Sequence, residues 1–208
     1  MGMNISIYTK ELSSDLIPKI IERFSDHHMF VEFHPDFSFD EGKDQGFLPV
    51  KFRMNPGYST AYDQIDHDII SGFELIFSEY DYNEDLMSVQ EKNTVESRSL
   101  LSKLFGGGKK SKPAPAAYVA SMELDKLLKN CCKSVLLDWK SWNKSELRVS
   151  LYFAAILADL TDGVIYDPQS GRFLSGSEAL ESFPQEIEEY ENSFKANEFT
   201  VDRFEGWK

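Results

Sequence analysis

The chain has 208 residues, a net charge of -13, 41% hydrophobic residues and 13% aromatic residues. That is enough apolar material for one large domain or two small ones, and it excludes global disorder. No apolar run approaches the roughly 20 residues of a membrane helix, and so acidic a surface repels phosphates, which disfavours broad nucleic-acid binding.

In chain order, MNISIYT (3–9) alternates Ile5 and Ile7 with polar neighbours, as a strand with one wet face does. SSDLIPKIIERF then carries Leu16, Ile17, Ile20, Ile21 and Phe24 as a helical stripe, with Ser13 or Ser14 as its cap and Pro18 near enough to the start to be tolerated. MFVEFH (29–34) and FLPVKFRM (47–54) read as strands flanking a polar loop, and GFELIFSEY (72–80), with Phe73, Leu75 and Phe77 alternating, reads as a fourth. EKNTVESRSLLSKLF (91–105) suits a short helix. GGGKKSKPAPA (106–116) suits only a solvated loop or linker, because glycine, lysine and proline dominate it.

The second half restarts with a helix over 118–130 and a strand over 133–139. A long helix over 143–160 follows, with an Asn143–Glu146 capping box, then two short strands, GVIYD and RFLS. A final helix reads from a cap at Ser182 and Gln185, with Phe183, Ile187, Tyr190 and Phe194 on one face. Residues 3–54 and 133–175 both run strand, helix, strand, strand. This predicts an α+β fold, a mainly antiparallel sheet covered by helices, built as if from two similar units. The predicted organisation is an N-terminal half over 1–105, the loop 106–116, and a C-terminal half over 117–208, within a single domain or as two.

The stretch LADLTDGVIYDPQSGRFLSG (157–176) concentrates three aspartates and three glycines. Asp159, Asp162 and Asp167 lack the alternate spacing of a calcium loop. The glycines close a helix rather than open one, so a phosphate cradle is not implied. The expected reading is a corner: helix, a stop with Gly163 at positive φ, strand, a turn at Pro168–Gly171 opened by Asp167, strand. A long apolar helix running into LADLTDGVIYDPQSG resembles a phrase found in bacterial cytoplasmic protein families. Some of these are similar to immunity proteins that neutralise polymorphic toxins. The resemblance covers about residues 145–180, carries over no functional residue, and implies a binding role.

Charge is unevenly distributed: -11 over residues 1–90, +6 over 91–150 and -8 over 151–208. An acidic surface attracts basic proteins and speeds their association. Asp36, Asp40, Glu41 and Asp44 are the predicted partner-binding carboxylates. Phe37, Phe39, Phe47, Tyr58, Tyr62, Tyr80 and Tyr82 lie in or beside acidic loops, as anchors for a partner or as core residues beneath loops. The four histidines cluster early, so His28, His34 and His67, with Asp36 or Asp68, form an alternative metal set, although no ligand-spacing motif joins them. Cys131 and Cys132 are adjacent and surrounded by no nucleophile signature. With no signal-type segment at the start, they point to a reducing cytoplasm.

The expected function is thus an acidic protein-binding module, in its concrete form an immunity-like protein that neutralises a basic toxin or another basic partner. No cofactor, nucleic acid or membrane is expected. The alternative is a metal-dependent enzyme around the N-terminal histidines.

Overall fold

A computed structural model describes residues 2–39, 45–85, 121–140, 144–194 and 198–207. Its elements are β1 (Gly2–Thr9), α1 (Leu16–Asp26), β2 (Met29–Phe33), β3 (Gln45–Met54), β4 (Ile69–Glu79), α2 (Met122–Leu128), β5 (Lys133–Lys140), α3 (Glu146–Leu160), β6 (Val164–Asp167), β7 (Arg172–Ser175), α4 (Gly176–Asn192) and β8 (Asp202–Arg203). The strands form one eight-stranded sheet in the order β2-β3-β4-β5-β1-β6-β7, with β8 paired to the start of β4. Every pairing is antiparallel, so the fold is α+β, as the alternation of apolar residues predicts.

The recurring strand-helix-strand-strand order holds along the chain. In space the two runs interlock, because β1 lies between β5 and β6 while β5 lies between β4 and β1. Strands from both sides of residues 106–116 therefore share one sheet. The helix read over 91–105 and the loop 106–116 lie outside the described residues.

One sheet face carries the main core. Ile5 and Ile7 of β1, Phe73 and Leu75 of β4, and Val135 and Leu137 of β5 point to it, and all are buried. Helix α3 crosses this face. It is buried on every side from Leu147 to Ala158, which marks a central helix rather than a surface one. Helix α1 adds Leu16, Ile20 and Phe24, as its stripe predicts. The described residues cover the opposite face only in part. α2 seats Leu124 and Leu128 against Val164 and Tyr8, and the tail places Phe204 and Trp207 near Lys51 and His34.

Three helix starts differ from the sequence reading. α4 begins at Gly176, with a full capping box between Ser175 and Glu178, and not at Ser182. It runs through Pro184 because Ala179, Phe183 and Ile187, four residues apart and buried, hold it against its neighbours. That packing offsets a proline cost of about 3 kcal/mol. α1 starts after Asp15 with no side-chain cap. Its serines contribute backbone carbonyls, and Ser14 Oγ instead accepts from the Phe39 N–H (3.1 Å). α3 starts after Ser145, also without a side-chain cap, and Asn143 lies outside the described residues.

The corner at 159–175 is structural. Asp167 accepts from the Gln169 N–H, the Gly171 N–H bonds the Asp167 carbonyl, and Gly171 takes φ +68°. The left-handed residue at the end of α3, however, is Asp162 (φ 46°) and not Gly163. Gly163 is required for another reason: a Cβ there would lie 2.5 Å from the Tyr8 carbonyl oxygen. Asp159 and Asp162 are held by ion pairs to Arg23 (2.9 Å) and Lys10 (3.1 Å).

Candidate functional site

Two concave sites stand at opposite ends of β2. His28 precedes the strand and His34 follows it, so the strand's five residues, about 17 Å at the usual rise, lie between them.

The first lies at the His34 end. Phe37, Phe47, Leu48, Pro49, Leu75 and Phe77 line an apolar cavity of about 200 Å³, with His34 and Asp36 at its edge. The Asp36 side chain is 87% exposed. The Phe47 ring is 58% exposed. Phe47 stands on the half-open sheet face opposite Glu74, which in turn faces Asp138 on β5. Ile76, also partly exposed, pairs with Leu136 on the same face. Aromatic, aliphatic and acidic side chains are thus interleaved over neighbouring strands.

The second site is a polar cleft of about 400 Å³ at the His28 end, where α1 and α4 finish and α3 begins. Its floor holds Arg148, on the first turn of α3, and Tyr152 one turn on. Its walls are His27, His28, Tyr58, Ser59 and Thr60, and its rim includes Asp26, Glu188 and Asn192. Arg148 Nε and Nη2 each donate to Glu191 at 2.7 Å. The two side chains are only 7% and 2% exposed. Ser59 Oγ donates to the same carboxylate (2.9 Å). Burial opposes the Arg148 charge, but the bonds to Glu191 outweigh it and hold the guanidinium above its ordinary pKa. Burial pushes the Tyr62 and Tyr152 hydroxyls up. Tyr62 Oη is enclosed near the ion pair without completing a hydrogen bond. Burial and the nearby Arg23 lower the His27 pKa, so its imidazole is neutral near pH 7.

Glu191 does not line this cleft. It lines a neighbouring one of about 370 Å³, with Ala61, Gln64 and Phe199, and Thr60 and Asn192 border both. The ion pair thus lies between the two clefts, with Arg148 bordering one and Glu191 the other.

The histidines proposed as metal ligands do not converge. His28 stacks on Tyr58 with ring centroids 3.4 Å apart. His34 Nδ1 accepts from the Asp36 N–H (3.2 Å). His67 stands by Asp66. Asp68 is engaged by Arg53 (2.8 Å) and Lys51 (3.4 Å). Among the described residues no group of three or more His, Cys, Asp or Glu side chains is placed to hold a metal ion. Of the partner-binding set, Asp36 is exposed as expected, while Asp40, Glu41 and Asp44 lie outside the described residues.

The loop aromatics divide. Phe39 and Tyr62 are core, Phe37 is half-buried against that core, Tyr80 and Tyr82 pack beside α2, and Phe47 and Tyr58 face outward. The Arg148–Glu191 pair was missed in the sequence, although each member breaks an apolar stripe. Compared with known proteins, the chain matches no family model, no curated sequence and no solved structure. Among the described residues no helix is long and apolar enough to cross a membrane.

Proposed function

We propose that this protein is a stoichiometric binding module for a basic protein partner, docking through the face around Phe47. The observation that carries this reading is an exposed aromatic ring, Phe47, on the same sheet face as the carboxylates Glu74 and Asp138 and bordering an apolar cavity that Asp36 also lines. Asp40, Glu41 and Asp44 directly precede this strand and add charge of the same sign. Carboxylates steer a basic partner from a distance, and a desolvated aromatic anchor then supplies affinity. The immunity-like form of the reading is occlusion of a toxin's basic active-site cleft by these carboxylates. The free thiols of Cys131 and Cys132 suit a reducing compartment such as the cytoplasm.

The test is capture from lysate of the source organism at low and high salt, comparing the native chain with Phe47→Ser and with the combined Asp36→Lys, Asp40→Lys, Glu41→Lys and Asp44→Lys variant. One basic protein should be retained in equimolar amount by the native chain, be released by salt, and be lost from both variants. With the purified partner, charge reversal should slow association at low salt by tenfold or more. Equal capture by native and variant chains would remove this face from consideration.

A further inference from the structure

The polar cleft is separate from the docking face and has the chemistry of a small-molecule site. Arg148 stands in its floor with Nε and Nη2 committed to Glu191, so Nη1 lies outside the bidentate pair. Tyr152, only 6% exposed, lines the same floor beside it. Its hydroxyl approaches Arg148. A guanidinium and a phenol hydroxyl that line the floor of a cavity are places where a ligand oxygen can bond. Both donors at the floor call for an anionic oxygen. Glu191 balances the Arg148 charge through Nε and Nη2, so what Arg148 offers at Nη1 is a directed hydrogen bond.

The mouth has the opposite character. Asp26 and Glu188 stand there, at the ends of α1 and α4. Both helices direct their C-terminal carbonyls toward this end, and a helix C-terminus favours positive charge. Arg23 neutralises Asp26 only in part. It holds Asp26 at 3.5 Å but is bound more closely to Asp159, at 2.9 Å. The neutral His27 ring and the stacked His28 and Tyr58 rings form the wall between floor and mouth. About 400 Å³ is within the range of small-ligand sites.

We infer that this cleft binds a small zwitterion of the free amino acid type, with its carboxylate on Arg148 Nη1 and the Tyr152 hydroxyl and its ammonium toward Asp26 and Glu188. The inference is one of binding, and no reaction is part of it.

The test is amide-resolved NMR of the full chain titrated with the common free amino acids, each paired with its C-terminal amide and its N-acetyl derivative. At least one free amino acid should shift the Gly57, Ser59 and Asn192 amides, with a dissociation constant below about 10 mM. Its amide, lacking the carboxylate, and its N-acetyl form, lacking the ammonium, should leave those signals in place. Tyr152→Phe removes one hydroxyl and should weaken binding by roughly fivefold to tenfold. The exposed Glu188→Gln cannot unfold the chain and should weaken it by a smaller factor. The inference is overturned if no free amino acid moves these amides, if the amide or the N-acetyl form binds equally well, or if both variants bind as the native chain does.

Discussion

Replacing Glu191 by Gln tests how the buried ion pair acts on the fold. The change keeps the shape and one acceptor oxygen but removes the negative charge. Arg148 then remains only 7% exposed, with the rings of Tyr62 and Tyr152 at 5.4 and 5.8 Å as its remaining electrostatic support. Those ring contacts are already made in the native chain and offset nothing, so the cost is that of breaking one side of a buried pair, about 3–5 kcal/mol. The Ser59 hydroxyl also exchanges a charged acceptor for a neutral one, but shared networks do not add simply. The expected net loss is about 4 kcal/mol, a large part of the 5–15 kcal/mol typical of a domain.

Urea unfolding followed by circular dichroism measures it. With an m-value of about 3 kcal/mol per molar for a chain of this size, the midpoint should fall by roughly 1.3 M. The double variant Arg148→Met, Glu191→Leu removes both charges together and should return to within about 1 kcal/mol of the native chain. A loss below about 1 kcal/mol for Glu191→Gln, the value of a surface pair, would refute the reasoning. So would a double variant no more stable than the weaker single.

Three other perturbations give clear signs. Gly176→Ala should destabilise by about 1–3 kcal/mol in the same urea assay, because the added Cβ would lie 2.1 Å from the Asp159 nitrogen; helix propensity alone predicts a gain of up to about 1 kcal/mol, so a stabilised variant would show that α3 and α4 are not in backbone contact there. Iodoacetamide should label Cys132 in the folded chain and Cys131 only after unfolding, since Cys131 is buried with its thiol pushed up to about 11; peptide mass spectrometry decides, and equal native labelling would contradict that burial. Because the folded pKa of His27 lies below its ordinary value, the unfolded chain binds the extra proton first, so this contribution to stability is complete above about pH 6.5 and is lost as pH falls toward the folded value. His27→Phe should flatten the stability profile between about pH 7 and 5, and an unchanged slope would assign it to other groups.

Local structure was legible where a pattern of period two or 3.6 met a single buried face. β1, β2 and α1 show this, and so does the Asp167–Gly171 turn. What failed was non-local. No property of MNISIYT says that β5 and β6 will flank it, because pairing order depends on which long-range contacts close the sheet. The last helix read from a cap at Ser182 and Gln185, since the packing that carries α4 through Pro184 lies on other elements. The acidic loop aromatics were ambiguous for the same reason: Phe39 and Phe47 sit in similar sequence, yet one is core and the other exposed. The buried pair did leave a trace. Glu191 continues the spacing Ala179, Phe183, Ile187, and Arg148 stands among apolar residues of α3. A charge on an apolar stripe demands a partner, and two such stripes with opposite charges predict each other.

That pair also bears on why the cleft exists. An apolar pair of similar volume would hold α3 and α4 together as well or better, so stability alone does not account for Arg148 and Glu191. Two roles remain, and they separate experimentally. If the pair serves to fix how α3 and α4 dock, the double variant Arg148→Met, Glu191→Leu should lose a unique arrangement and show broadened core resonances. If it serves the cleft, that variant should keep sharp resonances and a native midpoint while losing the zwitterion, because the floor has lost its cation. The cleft lining favours the second outcome, because Arg148 borders the cleft while Nη1 lies outside its bidentate pair with Glu191.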